Sequence, residues 1–170
     1  MALPKLQTSE YTLTLPSTQE EIKYRPFLVK EQKILMIAQE SGNEQEITDA
    51  MANLIHNCTF GALDVNNVPM FDVEYVFLQI RSKSSGAVVT LSVICPDDEE
   101  TAVEVKINLD EIEVQRNVEH SQEIEITKDI KLNLRYPRLK DLKGLNDNFG
   151  EFEKTLVLVV ECVDTITSGE

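Results

Sequence analysis

The sequence predicts an α+β fold: an N-terminal β-hairpin, a three-helix cluster, an antiparallel β-meander, and a C-terminal helix or strand. Apolar residues recur at helical spacing between residues 30 and 85, and alternate with polar residues from residue 87 onward. The 170 residues suffice for one domain, or for two small subdomains that share a core. The hydrophobic fraction of 42% is typical of a globular chain.

The segment before residue 30 is predicted to form the hairpin. Polar and apolar residues alternate over residues 11–15, as expected for a half-buried strand. Pro16, Ser17 and Thr18 form the turn. Residues 22–29 are predicted as the second strand. Pro26 weakens that strand or places it at a sheet edge, because proline cannot donate to a ladder.

Helical spacing predicts three helices. The first carries one apolar stripe of Ile34, Leu35, Ile37 and Ala38, and Ser41-Gly42-Asn43 breaks it. The second is a clean amphipathic helix; its stripe comprises Ile47, Ala50, Met51, Leu54, Ile55 and Cys58. In the third helix, Asp72 is the predicted N-cap and Gly86 the predicted end.

Period-two alternation from residue 87 predicts a meander of about three or four antiparallel strands with one wet face. Residues 138–150 are predicted as a loop with one helical turn. For residues 152–167 a helix is favoured, with a strand as the alternative because β-branched residues are dense there. We detect no internal repeat. The boundary at residues 84–86 separates subdomains 1–86 and 87–170, which we expect to form one compact unit.

A net charge of −14, from 30 acidic and 16 basic residues, argues against nucleic-acid and anionic-membrane partners. The negative charge favours solubility, with a basic partner or a guard against premature association as the functional alternatives. Cys58, Cys95 and Cys162 form no C-x-x-C pair, which predicts a reduced intracellular chain. The N-terminus lacks the features of a signal peptide, so we expect a cytoplasmic protein.

The sequence predicts no catalytic residue, cofactor or metal. His56 and Cys58 are two residues apart on a helix, so they lie on different faces and cannot pair locally. His120 lies in a polar loop, and the acidic run at residues 97–100 lacks calcium-loop spacing. Glycine-rich phosphate motifs are missing. We therefore expect a protein that is not an enzyme.

Two segments contain residue types that are common in protein interfaces. The first places Tyr24, Arg25, Phe27 and Lys30 just before a helix, where tyrosine and arginine could be binding hot spots. The alternative is that Phe27 and Leu28 anchor the hairpin to the core, while Tyr24 and Arg25 are surface residues. The second has Arg81 near a helix C-terminus, where a cation complements the helix dipole or binds a carboxylate.

These segments carry a resemblance over residues 3–165. A Tyr-Arg-Pro-Phe-Leu-Val-Lys-Glu block, two helices, a helix ending Leu-Gln-Ile-Arg-Ser-Lys-Ser-Ser-Gly, an alternating sheet and Arg135-Tyr136-Pro137 follow in order. The chain resembles the baseplate hub assembly proteins of T-even-type tailed phages and their cyanophage relatives. Members of that family continue with a further helical segment, so this chain, which ends at Glu170, is expected to be a shorter or truncated member.

The resemblance implies an assembly factor or chaperone that covers a sticky surface on a baseplate hub subunit, in the host cytoplasm during phage assembly. The acidic surface favours this hypothesis, since charge-steered binding is salt-sensitive and reversible. One alternative is a stoichiometric component of the tail baseplate in the virion. Another is an unrelated regulatory or enzymatic domain. The expected contact residues are Tyr24, Arg25, Phe27, Lys30 and Arg81. The oligomeric state and the identity of the hub subunit are left open.

Overall fold

The computed structural model describes residues 8–115, 117, 119–143 and 149–168. It has the predicted α+β class. The described helices are α1 (Val29–Ser41), α2 (Glu44–Cys58), α3 (Met70–Ser85), α4 (Leu139–Lys143) and α5 (Glu151–Glu161). The described strands are β1 (Tyr11–Thr14), β2 (Glu21–Tyr24), β3 (Val88–Ile94), β4 (Ala102–Asn108), β5 (Glu123–Glu125), β6 (Ile130–Leu134) and β7 (Val163–Ser168).

The N-terminal hairpin forms as predicted, but its second strand is shorter. β1 and β2 pair in antiparallel register, with Leu13 opposite Ile22, and β2 ends at Tyr24. The chain leaves the sheet there because the Arg25 N–H donates to the carbonyl of Cys58, at 2.9 Å. Pro26 has no N–H to offer, so the ladder cannot resume.

Helices α1 and α2 are joined by the predicted break. Gly42 takes a left-handed conformation with φ 66°, which glycine adopts without steric cost. The Asn43 side chain then accepts from the N–H groups of Gln45 and Glu46 and caps α2. The predicted α2 stripe is buried or half-buried throughout. The α1 stripe is only partly covered: Ala38 is buried, whereas Ile34 and Ile37 are exposed.

Helix α3 starts three residues before the predicted position. Pro69 is the N-cap, so Asp72 lies inside the first turn, where it is fully buried. Its carboxylate accepts from the Ser17 N–H, at 3.0 Å, and from the Ser17 hydroxyl. Asp72 therefore links α3 to the hairpin turn instead of capping its own helix. The helix ends before Gly86, as predicted.

The predicted meander is two separate antiparallel sheets. β3 and β4 form a two-stranded ribbon, and β5, β6 and β7 form a three-stranded sheet in that order. The last segment divides into helix α5 and strand β7, so both conformations proposed for residues 152–167 occur. β7 completes the sheet because its alternating residues pair with β6, with Ile166 opposite Leu132. Helix α4 supplies the predicted helical turn.

Among the described residues, the buried apolar side chains lie mainly between residues 13 and 80. They join the hairpin to α2 and α3. The second half reaches this core through Leu139, which is 1% exposed. A backbone hydrogen bond of 2.9 Å from Met70 to Pro137 lies beside it. Within the described ranges, no helix has the length and apolar character needed to cross a membrane.

Candidate protein-binding surfaces

Arg25 is held inside the fold by a bidentate ion pair with Glu31. Its Nη2 lies 2.7 Å from Oε1 of Glu31, and its Nη1 lies 3.0 Å from Oε2. Glu31 also accepts from the Leu28 N–H, at 2.7 Å, in the first turn of α1. The hydrogen bond from Arg25 lowers the pKa of Glu31 below its ordinary 4.5, although burial opposes it. This pair fixes the entry of α1 against the end of β2.

Cys58 lies against this ion pair. Its Sγ is 4.0 Å from Oε2 of Glu31 and 3.7 Å from Nη1 of Arg25. Burial, and then the Glu31 charge, raise the pKa of the thiol to about 11. A nucleophilic cysteine needs a lowered pKa and access to solvent. Cys58 is fully buried, and its position is that of a core residue.

The five predicted contact residues differ in exposure. Tyr24 is 2% exposed, and burial raises the pKa of its phenol to about 12. Phe27 is half-buried against the core, and its N–H donates to the Ser84 hydroxyl at 3.0 Å. Lys30 is exposed. The structure thus brings Tyr24, Arg25 and Phe27 together at the junction of β2, α1 and α2.

Arg81 is half-buried on α3, the helix whose Ser84 hydroxyl accepts from the Phe27 N–H. The neighbouring cation, Lys83, binds both carboxylate oxygens of Asp110 at 2.9 Å, and the Ser82 hydroxyl donates to the same carboxylate. These bonds lower the pKa of Asp110, with Lys83 as the main cause. They join α3 to the turn after β4.

An arrangement like that of Arg25 recurs in the second half. Arg135 donates from Nη1 to Oδ2 of Asp141 at 2.6 Å and from Nη2 to Oδ1 at 2.9 Å. The Asp141 carboxylate also accepts from the Arg138 N–H at 2.8 Å. The Arg135 N–H donates to the carbonyl of Cys162 at 2.9 Å. No internal repeat was expected from the sequence, and this local arrangement nevertheless occurs in both halves. An arginine followed six residues later by a carboxylate, with a proline between them, was the available sequence signal.

The ribbon of β3 and β4 exposes its apolar face to solvent, although the predicted meander had that face buried. Cross-strand pairs join Val89 to Ile107, Leu91 to Val105, and Val93 to Val103. These six residues form the ribbon's apolar face, and the central and outer pairs are exposed. Since a two-stranded ribbon is marginally stable in water, this face is suited to packing against another surface.

The sheet of β5, β6 and β7 exposes a second apolar face. Ile124, Leu132 and Ile166 lie side by side across the three strands. Ile124 and Ile166 are exposed, and so are Ile126 and Ile130 at the turn. Nearby, α5 exposes its own apolar side: Phe152, Leu156, Val159 and Val160. Contiguous exposed apolar area of this kind marks interaction surfaces in soluble proteins.

One open cleft of about 660 Å³ contains serine and histidine side chains, Ser17 and His120 among them. The Ser17 hydroxyl donates to Asp72, and the His120 ring stacks on Tyr136 with 5.6 Å between ring centres. A catalytic triad instead needs the histidine between the hydroxyl and the carboxylate. The described residues hold no group of three or more His, Cys, Asp or Glu side chains that could bind a metal ion.

Comparison with known proteins gives one match. The model of the family described as T4 bacteriophage base plate protein matches residues 8–170. The match therefore covers both halves of the chain, including both arginine–carboxylate pairs. No curated protein and no solved structure matches the chain.

Proposed function

This chain belongs to the T4 bacteriophage base plate protein family, and on that premise we propose that it is a non-enzymatic assembly factor that binds a subunit of the baseplate hub. Its binding surfaces are the apolar face of the β3–β4 ribbon and that of the β5–β7 sheet. In this role the protein would cover an apolar surface of the hub subunit until the next baseplate component binds to that subunit.

The observation that carries this proposal is the combination of two exposed apolar sheet faces with a net charge of −14. A strong net charge keeps a protein with such faces soluble and separate while it is free. An assembly factor exists free both before and after it acts. The charge would also make binding to the hub faster and sensitive to salt.

A second candidate is a permanent component of the baseplate. The extent of exposed apolar surface favours it, because lasting interfaces are larger and more apolar than transient ones.

We distinguish the assembly factor from the permanent component by quantifying the protein in purified mature particles and in hub intermediates from infected cells. Presence only in intermediates supports the assembly factor. A fixed ratio to hub subunits in mature particles would instead identify a structural component.

The contact surface is tested with Leu91→Asp and Val105→Asp on the ribbon. Both side chains are exposed, so we expect folding to be retained and co-purification with hub subunits to be lost. The matched control is Thr90→Asp, on the opposite face of the same strand. Equal recovery of hub subunits with all three variants would rule out the ribbon as the contact.

The five residues predicted from sequence remain a proposed contact patch, and Lys30 is the most informative of them. Tyr24 is buried and Arg25 is ion-paired, so alanine at either position would alter folding as well as binding. Lys30→Glu changes an exposed charge and leaves the core intact. We expect weaker hub binding from Lys30→Glu, and unchanged binding would argue against this patch.

A further inference from the structure

The ribbon of β3 and β4 is anchored at one end, its base. Just after β4, Leu109 is 5% exposed, and the Asp110 carboxylate binds the ammonium group of Lys83 on α3 at 2.9 Å. Near this base the cross-strand pair of Val89 and Ile107 is half-buried. Farther along, apolar side chains are exposed on both faces of the ribbon: Leu91, Val93, Val103 and Val105 on one, and Ile94 on the other. The ribbon therefore forms an arm that projects from the fold.

The far end of this arm is strongly acidic. The turn between the two strands, the acidic tip, has four exposed carboxylates: Asp97, Asp98, Glu99 and Glu100. Within the described part of the chain, none of the four forms an ion pair. No lysine or arginine lies between Lys83 and Lys106, so no basic residue of the turn offsets this charge. Hydrogen bonds from Thr101 lower the pKa of Asp98 below its ordinary value.

Glu99 carries a side chain at a position where the backbone favours glycine. Its φ is 55°, in the left-handed region that glycine adopts at less cost. The hydrogen bond of 3.0 Å from its N–H to the Cys95 carbonyl involves only the backbone, so it would also form with glycine. Replacing Glu99 with glycine therefore removes a charge from the acidic tip without removing what folds the turn.

Two features of the arm define the surface that it fits. Each strand has seven residues, so the apolar face extends about 23 Å from base to tip at about 3.3 Å per residue. The four carboxylates lie together at the far end of that face. A complementary surface has an apolar strip of similar length with basic side chains at one end. A segment with this chain's own composition, 30 acidic and 16 basic residues, would mostly repel the tip.

We propose that the arm docks on a partner protein whose apolar strip ends in a cluster of basic side chains, lysine among them. The face that contains Leu91 and Val105 packs on the strip, and the acidic tip forms ion pairs with the basic cluster. This inference rests on the proposed function, and it specifies the chemistry of the partner surface and the direction in which the ribbon lies on it.

The basic cluster is sought by zero-length carbodiimide cross-linking, which joins a carboxylate directly to an amine. The reagent is applied to hub intermediates from infected cells that contain the full chain. We expect peptides that include residues 97–100 to be joined to a lysine of a hub subunit. Mixing isotope-labelled with unlabelled chains identifies links between two copies. Links from the tip only to its own chain or to a second copy would overturn the proposal.

The charge of the tip is tested by titrating the cross-linked hub subunit against the full chain. The variant Glu99→Gly with Glu100→Gln should bind about fivefold more weakly at physiological salt. The difference should disappear near 1 M salt, where the Debye length is about 3 Å. The matched control, Glu20→Gln with Glu40→Gln, removes the same charge from exposed positions elsewhere and should bind like the wild type.

Thermal unfolding separates this role from a structural one, because the tip variant should melt at the same temperature as the wild type or higher. Asp97→Asn with Glu100→Gln is a second tip variant if Glu99→Gly lowers the melting temperature. Equal affinities of the tip and control variants for the hub subunit reject only this inference. A cross-link from the tip to a lysine of another baseplate protein, without any hub association, rejects only the proposed function.

Discussion

At the scale of single residues, two arginine–carboxylate pairs fix where a strand ends and a helix begins. In each pair the carboxylate is almost fully buried, and it also accepts a backbone N–H. Removing one partner of such a pair leaves a buried charge without compensation, which costs more than the intact pair contributes. Arg25, which was predicted to be a binding hot spot, therefore also stabilises the fold.

Arg25→Ala should lower the free energy of unfolding by about 3–5 kcal/mol, because Glu31 would remain buried and charged. Lys131→Ala is the matched control. It removes the ion pairs of Lys131 with Glu123 and Glu125, whose side chains are exposed, so it should cost about 0–1 kcal/mol. Urea denaturation measures both values. Equal losses would show that the Arg25 pair is as solvated as the surface pair.

The stabilisation from Glu31 should depend on pH. Its folded-state pKa lies below the ordinary 4.5, so its contribution is full above that value and is lost as the pH falls through the folded pKa. Glu31→Gln cannot ionise. The difference in unfolding free energy between the wild type and Glu31→Gln should therefore shrink in acid, measured by urea titrations from neutral pH downward. A pH-independent difference would contradict this.

The three cysteines should react in the order of their exposure. Cys58 and Cys162 are buried, and burial raises the pKa of both thiols. Cys95 is partly exposed at the end of the ribbon. We expect iodoacetamide to modify Cys95 first in the native protein and the other two only after denaturation, as read by peptide mass spectrometry. Early modification of Cys58 would show that the core between the hairpin, α2 and α3 opens readily.

At the scale of elements, helix ends were the most predictable features. The break between α1 and α2 and the end of α3 lie where glycine permits positive φ, at 66° for Gly42 and 100° for Gly86. The starts of helices were harder to predict. Aspartate often caps a helix, but the Asp72 carboxylate binds Ser17 in the hairpin turn instead. Local propensity does not reveal a partner 55 residues away.

Gly42→Ala should destabilise the protein by about 1–2 kcal/mol, the cost of a left-handed conformation for a residue with a Cβ. Space is not the reason, since a Cβ there would meet nothing within 4 Å. Gly150→Ala is the control, because its φ of −64° suits any residue. Thermal unfolding compares the two. Similar melting temperatures for both variants would contradict the conformational argument.

At the scale of the whole molecule, the halves predicted as subdomains 1–86 and 87–170 share part of one core. Leu139 belongs to the second half by sequence, yet it is buried among the apolar residues of the first. This contact favours the expected compact unit, which remains a prediction. Most of the remaining apolar surface of the second half is exposed instead.

Leu139→Ala should cost about 2–5 kcal/mol, as for any fully buried leucine, although it lies outside the first half. Leu156→Ala on α5, which removes an exposed leucine, is the matched control and should change stability by less than about 0.5 kcal/mol. If the chain is one cooperative unit, the loss should appear as a shift of a single transition. Two separate transitions would make the halves independent domains.

The α+β class, the amphipathic stripe of α2, the glycine ends of helices and the strand-forming alternation could all be predicted from the residues alone. Those features are local, because the spacing of apolar residues along the chain indicates which side chains share a face of a helix or strand. Three features emerged only from the folded arrangement: the division of the later strands into two sheets, the burial of Tyr24 and Arg25, and the exposed strand faces of the second half. Whether a face is covered depends on elements distant in sequence, and the covering element is not encoded in the strand that it covers.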